Sequence, residues 1–108
     1  MNDLELLMAA AKAAGLKVIL PAAHQRGLWI EGLEDEWNPL EDDGDALRLA
    51  VKLGMNVYTD HGRSMAEVLC NAERDYESAS ENHDNDANAA TRRAIVRVAA
   101  YQEKNNGN

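Results

Sequence analysis

The chain contains no phenylalanine. Trp29, Trp37, Tyr58, Tyr76 and Tyr101 are its only aromatic residues, so its core must be built from alanine and leucine around two tryptophans. A chain of this size buries roughly two-thirds of the surface that it exposes when unfolded. Its net stability is about 5–15 kcal/mol, so each large side chain counts heavily. Burying one large apolar group contributes on the order of 2–3 kcal/mol, which makes both tryptophans fold determinants first.

Hydrophobic periodicity divides the chain into short elements. Leu4, Leu7, Met8, Ala11 and Ala14 recur at three- and four-residue steps and predict a helix over 3–14. Asn2 and Glu5 form a capping-box pattern at its start, and Gly15 is placed to end it. The apolar run Leu16–Leu20, stopped by Pro21, reads as a strand, and Gly27–Glu31 reads as a second. Residues 32–39 are acidic and irregular. A helix is expected over 43–53, capped by Asp42 or Asp43, with Ala46, Leu47, Ala50, Val51 and Leu53 as its buried stripe and Gly54 as its stop. Its acids gather in the first turn and Lys52 lies in the last, as the helix dipole favours.

Between Met55 and Ala72 two periods compete. Ala66, Val68, Cys70 and Ala72 alternate as in a half-buried strand. Met65, Val68, Leu69, Ala72 and Tyr76 also fit a helix, which Ser64 and Glu67 would cap. Residues 73–86 are polar and acidic and read as a mobile connector. A last helix, capped by Asp86, is expected over about 87–103, with Ala87, Ala90, Ala94, Ile95, Val98 and Tyr101 turned inward and Arg93, Arg97 and Lys104 forming an outer basic stripe. The whole reads as one domain over 1–104, followed by a frayed tail at 105–108.

Eleven lysines and arginines against nineteen acids give a net charge of −8. That balance argues against a chain that coats nucleic acid, because such affinity comes mainly from bases neutralising phosphates. No apolar run approaches the roughly 18 residues that span a bilayer. The acidic start, Met1-Asn2-Asp3-Leu4-Glu5, does not resemble a secretory signal. With Cys70 the only cysteine, no intrachain disulfide can form, and a reducing, cytoplasmic setting is expected.

Three blocks carry a family resemblance. The segment Trp37-Asn38-Pro39-Leu40-Glu41-Asp42-Asp43-Gly44-Asp45-Ala46-Leu47-Arg48-Leu49-Ala50-Val51-Lys52-Leu53-Gly54 resembles a block found in small phage and prophage proteins of proteobacteria. Met1–Gly15 resembles their opening helix, and Ala87–Ala100, with Ala90-Thr91-Arg92-Arg93-Ala94-Ile95-Val96-Arg97, their closing one. The group is the phage ABA-sandwich domain; residues 16–36 and 73–86 depart from its pattern. The resemblance implies helical layers around a sheet and favours the hairpin near 55–72. It assigns no catalytic or binding residue. The expected fold is therefore a small layered α+β sandwich, with three helices on a short antiparallel or mixed sheet.

Candidate sites follow from residue chemistry. Glu41, Asp42, Asp43 and Asp45 are oxygen ligands. Setting Gly44 at the glycine of a calcium loop, however, puts Pro39 at the first ligand position and Ala50 where a glutamate is required. His24, His61, His83 and Cys70 lack paired zinc-ligand spacing. Cys70 and His61 could be drawn as a dyad, but Cys70 falls in an alternating apolar segment. The glycines are isolated, so no phosphate loop is formed. Neither metal nor cofactor is expected, and the chain reads as a non-enzyme.

Two charged features remain. Arg92, Arg93, Arg97 and Lys104 on the last helix are the weak candidates for phosphate contact, against sixteen acids and four bases between Glu31 and Asp86. These arginines could equally pair with the protein's own acids. Glu34, Asp35, Glu36, Glu41, Asp42, Asp43 and Asp45 cluster beside Trp37, a candidate for exposure, and Glu73, Asp75, Glu77, Glu81, Asp84 and Asp86 form a second set. An acid-rich exterior keeps small proteins soluble. It can also steer association with a basic protein surface. The functional expectation is an accessory protein of a phage or prophage that binds an unidentified host or phage protein through the first cluster, for instance to inhibit a defence or nucleic-acid-handling machine. Self-association through an apolar helix face is the alternative.

Overall fold

The computed structural model describes residues 1–21, 27–69 and 76–106. Among them are three helices and five strands: α1 (Asp3–Ala13), β1 (Val18–Pro21), β2 (Leu28–Ile30), α2 (Asp43–Leu53), β3 (Asn56–Thr59), β4 (Arg63–Leu69), β5 (Tyr76–Asn82) and α3 (Ala87–Asn106). The strands form two antiparallel sheets, β1-β2 and β3-β4-β5, so the fold is a small α+β sandwich.

Helix α1 starts on the expected reciprocal cap. Asn2 Oδ1 accepts from the Glu5 N–H at 2.8 Å, and Glu5 Oε1 accepts from the Asn2 N–H at 3.1 Å. Its buried face is rotated from the expected stripe: Leu6, Leu7, Ala10 and Ala11 are buried, whereas Leu4 and Met8 are exposed. Apolar residues at 4, 6, 7, 8, 10 and 11 offer two overlapping stripes, and packing on α3 selects the one containing both small alanines.

Helix α2 keeps its expected limits. Asp42 Oδ2 accepts from the Asp45 N–H at 2.8 Å, and Gly54, at φ 70°, adopts the left-handed conformation that lets Met55 N–H reach the Ala50 carbonyl. Its face is also rotated. Ala46, Leu49 and Ala50 are buried, while Leu47 is 65% and Val51 73% exposed. The periodicity was wide enough to accept either side; contact with α3 decides between them.

The hairpin is formed by β3 and β4, in register Asn56↔Glu67 through Thr59↔Ser64. Part of the expected connector is instead a strand. β5 pairs with all of β4, from Arg63↔Asn82 to Leu69↔Tyr76. Of β5's residues only Ala79 is buried, so the strand has almost no apolar signature. Ladder hydrogen bonds and α3 hold it, and a hydrophobic pattern cannot report either.

Helix α3 is the hub. Asp86 Oδ1 caps it through the Ala89 N–H, and it continues to Asn106, beyond the expected end near 103. Ala94, Ile95, Val96, Val98, Ala99 and Ala100 are all buried because α3 packs on α1 and α2 as well as on β4 and β5. The inward stripe read from periodicity therefore misses Val96, Ala99 and Ala100, and it wrongly includes Ala87, which is exposed. Alanine makes this possible: small side chains allow one helix to meet four neighbouring elements closely.

Candidate functional site

Asn38 and Pro39 feed the chain into α2, and this turn organises the acidic cluster. Asn38 Oδ1 accepts from the Leu40 N–H at 3.1 Å, while its carbonyl accepts from the Asp42 N–H at 2.8 Å. Trp37 exchanges two main-chain hydrogen bonds with Leu28, both 2.9 Å, extending the β1-β2 sheet by one bridge. These bonds fix Trp37 in the core at 5% exposure, in keeping with its reading as a fold determinant and against its reading as a candidate for exposure. Gly27 is required beside it: a Cβ there would lie 2.5 Å from the Trp37 carbonyl oxygen.

The acids divide by what they bond. Asp45 is buried at 9% exposure; its Oδ2 accepts from the Asn38 N–H at 2.9 Å and its Oδ1 from Arg48 at 2.8 Å. Glu36 Oε1 accepts from the Gly27 N–H at 2.6 Å. Asp42 caps α2, and Asn38 Nδ2 donates to Glu41 at 3.3 Å. Asp43 receives Arg92 at 2.6 Å. Asp45, Glu36, Asp42 and Asp43 are thus employed within the fold. Glu34 and Asp35 differ: both are exposed, and neither has a hydrogen bond or ion pair among the described residues.

Glu34 and Asp35 form the lip of a groove of about 510 Å³ between the end of α1, the 33–38 segment and α2. Leu16, Leu33, Trp37 and Leu49 contribute its apolar lining, and Arg48 and Lys52 line it from α2. Of the eight expected site residues, the groove gathers Glu34, Asp35, Glu36, Trp37, Asp42 and Asp45, whereas Glu41 and Asp43 lie outside its lining. Sequence reasoning missed Leu16, Leu33, Leu49, Arg48 and Lys52. Leu33, apolar and exposed in an acidic segment, was the one legible signal.

The arginines of α3 bind inward. Arg92 donates to the Leu40 carbonyl at 2.9 Å and to Asp43, tying α3 to the start of α2. Arg93 reaches Asp3 of α1 at 2.7 Å. Arg97 pairs with Glu81 of β5, donates to the Ser80 carbonyl at 3.3 Å, and meets the Tyr101 hydroxyl at 2.9 Å. The Tyr101 hydroxyl and then the Glu81 carboxylate hold the Arg97 guanidinium above the ordinary arginine range. Three successive arginines thus fasten α3 to three different elements. As phosphate contacts they would have to give up these bonds; the Lys104 side chain lies outside the described residues.

A buried polar chain crosses from β4 to α3. Ser64 is fully buried, with its Oγ 2.8 Å from His83 Nε2 and 2.6 Å from Thr91 Oγ1. Thr91 donates to the Ala87 carbonyl at 2.8 Å. Each hydroxyl has one hydrogen, so Ser64 donates to Thr91 and accepts from His83. A serine nucleophile needs the opposite arrangement, with its proton held by the histidine and its oxygen open to substrate. The chain instead satisfies a serine placed at an inward register position of β4.

The other candidates do not converge. In the β3–β4 turn, Asp60 Oδ1 accepts from the Gly62 and Arg63 N–H groups, which hold its carboxyl below the usual aspartate range. His61 lies exposed in the same turn, and His24 and Cys70 fall outside the described residues. Among the described residues no group of three or more histidine, cysteine or acidic side chains is placed to hold a metal ion, and no helix is long and apolar enough to cross a membrane. No protein family, characterised protein or solved structure matches the chain.

Proposed function

We propose that the chain is a protein-binding module whose groove beside Trp37 receives a basic, partly apolar segment of another protein. The supporting observation is the contrast between the acids: those around the groove are bonded within the fold, while Glu34 and Asp35 stand unbonded and exposed at its lip. An apolar lining with a charged rim has the anatomy of a binding site in which burial supplies affinity and charge supplies steering and register. The partner's cations meet Glu34 and Asp35, its apolar side chain rests on Leu16 and the exposed Leu33, and Lys52 meets an acid on its other flank.

The resemblance to small phage and prophage proteins sets the biological reading: a non-enzymatic accessory protein acting in the bacterial cytoplasm on a host or phage protein. Inhibition of a defence or nucleic-acid-handling machine is its most concrete form, because such machines carry basic surfaces. Binding nucleic acid through α3 is less favoured, since Arg92, Arg93 and Arg97 are engaged with Asp43, Asp3 and Glu81.

The test is capture from bacterial lysate by the intact chain and by the double variant Glu34→Lys/Asp35→Lys. A basic protein retained by the former, released by salt and lost by the variant supports the reading. Equal capture by both chains, or capture insensitive to salt, overturns it.

A further inference from the structure

Strand β3 is an open edge. It is the outer strand of the β3-β4-β5 sheet, and all four of its residues are exposed. The Asp60 N–H bonds the Arg63 carbonyl, and the ladder alternates from there. Tyr58 and Asn56 therefore spend their main-chain groups on β4, while the N–H and C=O of Val57 and Thr59 point outward. Beneath this edge runs a trough of about 310 Å³ lined by Ala46, Leu47 and Ala50 of α2, Val57 and Thr59, and Ile95 of α3. The opposite edge strand, β5, is engaged by Arg97 at the Ser80 carbonyl.

We propose that β3 and the trough form a self-association surface, occupied by β3 of a second copy of this chain in antiparallel pairing about a two-fold axis through Tyr58. The pairing is self-complementary at each level. Val57 faces Thr59 of the second copy and Thr59 faces its Val57, which forms about four main-chain hydrogen bonds from groups that otherwise have only water. The side chains of these residues, on the inward face of the strand, enter the second copy's trough against Leu47, Ala50 and Ile95. On the outer face the two Tyr58 rings meet as a non-hydrogen-bonded cross-strand pair, the closer of the two pair types. Leu47, 65% exposed on α2, lines the trough beside the seam.

Charge selects a second copy over a basic segment. Soluble proteins usually blunt an edge with lysine, proline or other charge. Here Asn56-Val57-Tyr58-Thr59 carries none, in a chain with 28% charged residues. The one acid lining the trough, Asp43, is already bonded to Arg92. A neutral strip is where two copies of net charge −8 can approach most closely.

Sedimentation equilibrium of the full chain tests the proposal. The expected result is a species of twice 11.9 kDa whose association tightens as salt screens the like charge of the two copies. Val57→Pro removes an N–H that β4 does not use, so the hairpin persists while the dimer weakens by at least about tenfold. Leu47→Glu, at an exposed site of α2, weakens it comparably without touching the strand. A chain that stays at 11.9 kDa up to its solubility limit overturns the proposal, as does a dimer undiminished in both folded variants or one dissociated by salt. None of these results bears on the groove beside Trp37, which lies elsewhere on α2.

Discussion

Replacing Asp45 by alanine separates the acids that build the fold from those available to a partner. The substitution strands the buried Asn38 N–H, which now donates to Asp45 Oδ2 at 2.9 Å. An orphaned buried donor costs about 1–3 kcal/mol. The carboxylate also sits in the first turn of α2, where a negative charge contributes roughly 0.3–1 kcal/mol. The Arg48 pair adds about 0.5 kcal/mol or less, since the arginine side chain is 73% exposed and solvent screens the interaction. The expected loss is about 2–4 kcal/mol, or roughly 9–18 °C in melting temperature for a chain of this length. By contrast, Glu34→Gln and Asp35→Asn should change stability by no more than about 0.5 kcal/mol, since neither side chain is bonded. Urea denaturation followed by tryptophan fluorescence measures all three. If Asp45→Ala costs less than about 1 kcal/mol, or no more than Asp35→Asn, the division between structural and available acids is wrong.

Other perturbations probe the scaffold. Trp37→Ala should cost about 3–5 kcal/mol, the range for truncating a buried aromatic residue, as read by urea denaturation. Gly27→Ala places a methyl group 2.5 Å from the Trp37 carbonyl oxygen, so calorimetry should show a lower melting temperature and tryptophan fluorescence a shifted emission. Arg97→Met should destabilise more than Arg93→Met, because Arg97 is bonded to Ser80, Glu81 and Tyr101 whereas Arg93 reaches Asp3 alone. Asp60 has a folded-state pKa below its unfolded one, so its contribution is present above the ordinary aspartate range and is lost as pH falls through the folded value. Asp60→Asn should therefore flatten the acid limb of the stability profile and leave its alkaline limb unchanged.

Elements announced by punctuation were legible in the sequence. Asn2 with Glu5, Asp42, Gly54 and Asp86 act locally, so α1, α2 and the start of α3 could be placed without knowing their neighbours. What depended on neighbours was not legible. The faces of α1 and α2 were rotated because apolar residues such as Leu47 and Val51 fit the period but not the contact with α3. β5 was hidden because its stability lies in the β4 ladder and in Arg97 rather than in its own side chains.

The acidic site was half legible. Residue type located the cluster, but only geometry showed Asp45 and Glu36 bonded to the backbone, Trp37 buried, and Glu34 and Asp35 left at the lip. The basic stripe was misleading for the same reason. Each arginine finds its acid on another element: Arg93 and Arg92 reach Asp3 and Asp43, 90 and 49 residues away, and Arg97 reaches Glu81, 16 residues away.

The most direct measurement is a backbone amide NMR titration of the full chain with a short peptide of alternating leucine and lysine as the probe. The account predicts shifts confined to residues 33–37 and 48–52 and to the Trp37 indole, lost in Glu34→Lys/Asp35→Lys and diminished by salt. Shifts spread evenly over the acidic exterior, or unchanged in that variant, would contradict it.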